Sequence, residues 1–577
     1  MSNFLNDNPD LLFTLNNLKL QEVVQLKEKN YSESAKFDTA PENYEDAVDG
    51  YRRVLDVIGE IAGERIAPRS RQVDEEGPHF ENGKVTYHPL TVQNLEDLSK
   101  AGVMGVILPR EYGGLNFPST IYTMMTEMVS RADASLQNLF GLQDIAETIS
   151  SFGSEEQRKK YLPQFCTGEA DGAMDLTEPD SGSDLQSVRL KATQDENGQW
   201  YLDGMKRFIT NGCAKIHLVL ARSEAGTTDG RGLSMFICER TPDLVVRRIE
   251  HKLGIHGVAT AELQYNHVPA ELCGQRRYGL TRYVMSLMNG ARVAISAQAL
   301  GIAEAAFREA RKYASEREQF KQSIDRFPAI YDMLARMKAG LAASRALLYE
   351  TTTAVDLRNC YDEIMTRGSK EEITQEVREK ARYYKEVAAV LTPMSKALST
   401  ETANKICYDC IQIHGGTGYM HDFDAERYYR DVRITNIYEG TTQLQVVAAI
   451  GGVKKRVLDK EIAALFAGIP ETGSIGELRQ ILSDMYAKHL EAVRFLVEKK
   501  DVTDQPLHEL RARNLVENET FVFVGLLMLR SALQDPVREP LAEQYIRDAS
   551  FDFGRNWNIV MNGGTSVIEK HRQVIDY

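Results

Sequence analysis

Clustered basic residues, long apolar runs and paired cysteines are all scarce in this chain, and each absence removes a class of protein. Lys and Arg total 69 against 83 Asp and Glu, for a formal net charge of −14. A phosphate backbone is bound through clustered cations, so no nucleic acid partner is expected. The longest apolar run, Phe521–Leu529, falls far short of the ~20 residues a helix needs to cross a bilayer. It reads as a buried helix, and no integral membrane segment is expected. The seven cysteines are odd in number and scattered, which suits reduced thiols. Met1–Asp7 has neither a basic start nor an apolar core, so no signal or transit peptide is read there and a cytoplasmic location is expected. There is no internal repeat, P-loop or zinc-protease helix, and no metal is called for. Cys407 and Cys410 have CxxC spacing but no second ligand pair, and read as two buried thiols. Gly301 is followed by helix formers instead of a dinucleotide fingerprint.

What is present changes texture along the chain. Residues 1–50 form an acidic, Asn-rich leader with a short amphipathic piece near Leu15–Lys27. Over 51–170 the apolar spacing is helical, as in Tyr51, Val54, Leu55, Ile58 and Ile61. From about Gly172, short strand-like stretches such as His217–Ala221 and Leu233–Ile237 alternate with Gly, Asn and Asp turns. This predicts a β domain over 171–279. Helical period resumes over 280–451 and again over 452–577, where Ile475–Glu498 and His508–Leu533 carry apolar residues that must bury against something.

The most informative string is Tyr438-Glu439-Gly440-Thr441-Thr442-Gln443, placed after Gly415-Gly416-Thr417-Gly418. A carboxylate between an aromatic ring and a Gly-Thr turn is suited to desolvation, a raised pKa and use as a base. Upstream lie Leu176-Thr177-Glu178-Pro179-Asp180-Ser181-Gly182-Ser183-Asp184 and Phe208-Ile209-Thr210-Asn211-Gly212. In this order and at these distances the strings resemble the acyl-CoA dehydrogenase family. Pro109–Gly114, Arg131–Ser135, Lys252–Ile255 and Arg317–Phe320 look like further signatures, so the resemblance runs from about Tyr51 to Gly451.

The resemblance implies an α+β multidomain fold with an N-terminal helical domain, a middle β-barrel domain and a C-terminal four-helix bundle. Residues 452–577 then form an additional helical domain, as in lengthened members. It also implies FAD as cofactor and α,β-dehydrogenation of an acyl-CoA thioester to the trans-2-enoyl-CoA, with electrons passed to an electron-transferring flavoprotein. Glu439 is then the base. An α-proton is weakly acidic, so the base needs help from hydrogen bonds to the thioester carbonyl. No side chain accepts hydride, which is why a flavin is implied. Some members place the base one residue before an arginine on an earlier helix. Here that position is Ala291, before Arg292, which leaves Glu439.

By the same resemblance Leu176, Thr177, Ser183, Phe208, Ile209 and Thr210 meet the flavin. Arg317, Gln319, Phe320, Phe327, Gln412, Gly415 and Gly416 meet the rest of FAD from a neighbouring subunit, and Thr441 and Gln443 add contacts beyond the base. Ser183, Arg292, Glu439 and Gly440 are expected to face the substrate. The family pattern is broken at Lys321, where glycine is usual, at Pro328, where glutamine is usual, and at Asn289, where aspartate is common. His414 reads either as a flavin neighbour or as a packing residue. An oxidase or an enoyl-CoA reductase on the same fold is the enzymatic alternative, and a non-catalytic scaffold is the alternative of another class. The extension is expected to cover surface that shorter relatives use for assembly, leaving a homodimer.

Overall fold

The computed structural model describes residues 2–499 and 505–576. They form two compact units: residues up to Ala305 with Arg427–Thr435, and Ala306–Glu426 with the chain from Asn436 onward.

The first unit opens with α1 (Pro9–Asn17) and α2 (Gln21–Lys27). The Asn8 side chain caps α1 by accepting the N–H groups of Asp10 and Leu11, both at 3.2 Å. The single amphipathic piece expected at Leu15–Lys27 is two helices, because Leu18 adopts extended backbone with ψ 136°. The leader packs through its apolar residues. Phe4, Leu5, Leu11, Val23 and Val24 are buried, and the Phe4 N–H bonds the Gly59 carbonyl at 2.9 Å. Arg110 joins the loop before Ser119 to Glu28, at the end of α2, through two hydrogen bonds of 2.6 and 3.0 Å.

Helix α3 (Tyr44–Glu60) buries Tyr51, Leu55 and Ile58 at the predicted spacing. A wide turn, Ile61–Ile66, joins it to α4 (Ala67–Glu76). A hairpin of β1 (His79–Glu81) and β2 (Lys84–Thr86) precedes α5 (Pro89–Lys100). Then follow α6 (Ser119–Ala132), α7 (Ala134–Phe140), α8 (Asp144–Phe152) and α9 (Glu155–Thr167). A reciprocal capping box between Ser154 and Gln157 starts α9.

Seven strands follow: β3 (Gly172–Asp175), β4 (Lys191–Gln194), β5 (Trp200–Thr210), β6 (Ile216–Arg222), β7 (Leu233–Glu239), β8 (Leu244–Ile249) and β9 (Thr260–Cys273). Their pairing closes a ring, β6–β4–β5–β9–β7 and back to β6, with β3 alongside β6 and β8 alongside β9. Closure removes the exposed edges of an open sheet. Side-chain alternation in β6 and β7 divides two cores. Val219, Ala221, Phe236 and Cys238 pack with the barrel interior around Leu202 and Leu263. Leu218, Leu220, Met235 and Ile237 pack outward with Tyr161, Leu162 and Phe165 of α9. The strands are thus apolar on both faces because both faces are covered. The interior also seals Asp175, whose Oδ2 accepts from the Tyr265 hydroxyl and lies 2.8 Å from His217 Nδ1.

Helix α10 (Met285–Glu316) continues past Ala305 into the second unit. There a tight hairpin, β10 (Glu318–Gln319) with β11 (Gln322–Ser323), leads to α11 (Pro328–Arg367) and α12 (Gln375–His414). After α13 (Ala425–Val432), most of which belongs with the first unit, come α14 (Thr442–Lys454), α15 (Asp459–Ala467), α16 (Gly473–Glu498), α17 (Gln505–Gln534), α18 (Glu539–Asn562) and α19 (Ser566–Ile575). One core joins α11, α12, α14, α16, α17 and α18. The run Phe521–Leu529 lies in α17 with almost every side chain buried, as an all-apolar stretch requires. Among the described residues no helix is long and apolar enough to cross a membrane. All seven cysteines are free.

Candidate active site

In the first unit the β3–β4 connection and the end of β5 form one surface. The Arg207 N–H donates to the Thr177 carbonyl at 2.9 Å, which sets Thr177 beside Phe208. Thr177 Cγ2 lies 3.8 Å from where a Cβ on Gly182 would sit, so the turn carrying the exposed Ser183 approaches as well. Phe208 has a left-handed backbone, φ 60°, and 52% of its surface is exposed. The Arg207 guanidinium lies 4.6 Å from its ring centre. Ile209 points into the barrel core, which leaves only its backbone for a ligand, whereas Thr210 is half-buried. Leu176 is buried.

The platform is held from behind by a lysine. Lys206 is fully buried and donates to the Leu176 carbonyl at 2.8 Å and to Glu178 Oε1 at 3.0 Å. Glu178 in turn accepts the N–H groups of Arg189 and Leu190 at 2.7 and 2.9 Å. Burial pushes the Lys206 amine below the usual lysine range, while the Glu178 carboxylate pulls the other way. Arg292 is buried on α10 and donates to Asn289 Oδ1 at 3.2 Å, so the family's usual aspartate is replaced by a neutral acceptor.

In the second unit Glu439 is half-buried, in the loop before α14, with φ 53°, followed by Gly440 with φ 93°. A left-handed backbone costs a non-glycine residue about 1–2 kcal/mol, so the surroundings must enforce it. They do so from three sides. Lys396 of α12, with no exposed surface, donates to the Tyr438 carbonyl at 2.9 Å and the Gly440 carbonyl at 2.6 Å. The Gln445 amide donates to the Glu439 and Gly440 carbonyls at 3.3 and 2.8 Å. Glu401, also on α12, accepts from the Thr442 hydroxyl at 2.6 Å and from Asn436 at 3.4 Å. Thr441 caps α14 by accepting the Leu444 N–H at 3.4 Å, and Gln443 is exposed.

The remaining candidates gather at the far end of α12. Exposed Gln412 precedes Gly415 and Gly416, where an added Cβ would meet nothing within 4 Å. His414 stacks on Tyr313 at 4.2 Å between ring centres, and its Nδ1 lies 2.8 Å from the Cys410 carbonyl. Burial holds its imidazole below the usual range. Tyr313 sits one turn before Arg317, so this stack pins the hairpin of exposed Arg317, Gln319 and Phe320 to the end of α12. Phe320 is 88% exposed and meets Phe327 edge-on at 6.1 Å. Lys321 keeps φ 67° where the family has glycine, and Pro328 opens α11 directly after its cap residue Phe327, a favoured place for proline. From Lys396 to Gln412 the helix rises by roughly 24 Å. The glycine end and the Glu439 loop are therefore not brought together within this unit.

In the first unit the half-exposed Phe208 face beside Thr177 and Thr210 suits a planar ring, and in the second the open backbone at Gly415 and Gly416 suits close approach of an anionic group. Lys206, Lys396, Glu401 and Gln445 were not singled out from the sequence. Lys206 lies within β5 and Lys396 follows Met394 and Ser395 on α12, and neither is marked out by its neighbours in the sequence.

Models of the acyl-CoA dehydrogenase N-terminal, middle and C-terminal domains match residues 49–169, 173–268 and 293–443. An acyl-CoA dehydrogenase of Bacillus subtilis (strain 168) is 37% identical over 360 residues, covering 61% of this chain and 87% of its own length. A 3-methylmercaptopropionyl-CoA dehydrogenase of Ruegeria pomeroyi is 33% identical over 437 residues, covering 70% of each chain. The structure of an acyl-CoA dehydrogenase complexed with FAD from Bacillus anthracis superposes with a TM-score of 0.76 over 90% of each chain. At 22% identity that likeness speaks for the fold, and its coverage reaches past residue 443 into the additional helices. The chain belongs to the acyl-CoA dehydrogenase family of FAD-dependent oxidoreductases. Its helical N-terminal domain, closed middle barrel and helical C-terminal region are the architecture expected of that family.

Proposed function

We propose that this enzyme dehydrogenates an acyl-CoA thioester between its α and β carbons, giving the trans-2-enoyl-CoA, with Glu439 as base. The observation that carries this reading is the Glu439 loop. A half-buried carboxylate is kept in a strained left-handed backbone by Lys396, Gln445 and Glu401. Strain that three independent groups maintain is a mark of function.

In this reading the Glu439 carboxylate takes the α-proton. Its backbone N–H donates to the thioester carbonyl and stabilises the negative charge that develops there. Substrate binding excludes water and strengthens that hydrogen bond. FAD, when bound, supplies the acceptor for the β-hydride. Leu176, Thr177, Phe208, Ile209 and Thr210 would hold its ring end, with Thr441 and Gln443 near the base. Arg317, Gln319, Phe320, Phe327, Gln412, Gly415 and Gly416 would hold its far end from a second subunit. The roughly 24 Å along α12 between the two groups supports that division. Ser183, Arg292 and Gly440 would face the substrate. The electron acceptor is an electron-transferring flavoprotein, and the assembly is a homodimer.

The test is anaerobic mixing of the flavin-loaded enzyme with a panel of straight-chain, branched, aromatic and alicyclic acyl-CoAs. Flavin bleaching with enoyl-CoA formation supports the reading, and no bleaching with any acyl-CoA overturns it. Subsequent reoxidation by electron-transferring flavoprotein, but not by oxygen, distinguishes a dehydrogenase from an oxidase.

A further inference from the structure

Lys396 bonds the carbonyls on both sides of Glu439 in the sequence, those of Tyr438 and Gly440. The Tyr438 carbonyl and the Glu439 N–H belong to one peptide group. That group is planar, and in the trans form its C=O and N–H point in opposite directions. A cation on the carbonyl therefore sits behind the N–H, and it draws electron density away from the nitrogen. A donor in a chain of hydrogen bonds is strengthened in this way, most of all where water is excluded. Lys396 has no exposed surface, so little of its field is screened.

We propose that Lys396 is a positioning residue for catalysis, whose buried ammonium fixes and polarises the Tyr438–Glu439 peptide so that the Glu439 N–H becomes a stronger donor to the substrate thioester carbonyl. This rests on the reading of Glu439 given above. Gln445 and Glu401 brace the same loop, but neither puts a positive charge on that peptide. A brace alone would be replaceable by any group that restores the loop. Polarisation requires charge.

The probe is butyryl-CoA carrying carbon-13 at the thioester carbonyl, bound to the FAD-loaded Glu439→Gln enzyme so that no turnover occurs. Difference infrared spectroscopy then reads the carbonyl stretch. Bound to Glu439→Gln alone, the band is expected below its position in solution; no shift there overturns the proposal. Adding Lys396→Met should return more than half of that shift, whereas Lys396→Arg should keep most of it. With Glu439 present, Lys396→Met should lower kcat about 10- to 100-fold, less than the roughly 100- to 1000-fold for losing an oxyanion donor outright because the N–H itself remains, with little change in KM. An undiminished shift in Lys396→Met overturns the proposal. Should that variant fail to fold, Lys396→Gln, which keeps a donor without charge, is compared with Lys396→Arg, and equal shifts in the two overturn it. The base assignment is tested separately by the turnover of Glu439→Gln, which the carbonyl band does not enter.

Discussion

Arg110 presents two guanidinium nitrogens to the two carboxylate oxygens of Glu28, at 2.6 and 3.0 Å, with 2% and 1% of their side-chain surface exposed. The pair ties a helix within the first thirty residues to the loop before α6. Two charges taken this far from water depend on each other, because the survivor of a single substitution is left desolvated and unpaired.

Glu28→Ala should therefore destabilise the first unit by about 3–5 kcal/mol. The double variant Glu28→Met/Arg110→Met should recover most of that loss, since apolar side chains of similar volume need no partner. Urea unfolding of the two proteins checks this. Equal losses in both would mean that packing, and not the charge pair, holds the N-terminal segment.

Glu439→Gln should keep the fold and the flavin and lose about 10³-fold in kcat, within the range for removing a positioned base. The amide is nearly isosteric but does not accept the α-proton at neutral pH. Stopped-flow bleaching by an acyl-CoA that the parent enzyme oxidises gives the measurement. A rate near that of the parent would remove Glu439 from the mechanism.

Two glycines in helices should respond to alanine with opposite signs. A Cβ on Gly301 of α10 would lie 2.6 Å from Ser130 Cβ and 2.7 Å from the Arg131 backbone nitrogen of α6. That overlap should cost about 1–3 kcal/mol. A Cβ on Gly554 of α18 meets nothing within 4 Å, so Gly554→Ala should gain up to about 1 kcal/mol from helix propensity alone. Thermal melting of both variants tests the pair together.

The additional helices bury a histidine against a glutamate. His489 Nε2 of α16 lies 3.7 Å from Glu519 Oε2 of α17, near an Asp459 that accepts from Tyr486 and pairs with Arg456. Burial, with Asp459 adding to it, pushes the Glu519 carboxyl from 4.5 up to about 8. Burial takes the His489 imidazole from 6.5 down to about 4. Both groups are thus neutral at neutral pH. The folded state holds the Glu519 proton up to about pH 8 while the unfolded chain releases it near 4.5, so this group withdraws stability as pH rises between them. His489 acts in the opposite sense, adding stability as pH rises from about 4 to 6.5. The two largely cancel below pH 6.5. From there to pH 8 Glu519 acts alone and should cost about 2 kcal/mol. Glu519→Gln should flatten the melting temperature over that window, and a fall equal to that of the parent would exclude Glu519 as its cause.

Much of this architecture was legible because local pattern and final burial agree. The change of texture at Gly172 is the start of β3, and the spacing of Tyr51, Leu55 and Ile58 is the buried face of α3. The Phe521–Leu529 run and the Cys407–Cys410 pair are buried in helices, as read. The folded N-terminal segment was hidden because its hold depends on Arg110, 82 positions away from Glu28. The braces behind the candidate site were hidden for a related reason. Lysine is ordinarily a surface residue, and nothing local announces that Lys206 or Lys396 will be sealed against a carbonyl. Glu439 stood out by its neighbours in sequence, whereas its left-handed backbone belongs to the tertiary structure.

Helix α12 carries Lys396 and Glu401 in its middle and Gln412 near its end, with the glycine turn directly after. Because these lie on one continuous helix, the count of residues between them works as an angular gauge. One residue inserted between Glu401 and Gln412 would rotate either end against the other by about 100° and lengthen the span by about 1.5 Å. Exposed side chains along this stretch, such as Tyr408, are free to drift, but the number of residues is not. Growth of the chain is confined to places where phase carries no meaning, such as the turn between α11 and α12 or the segments beyond α14.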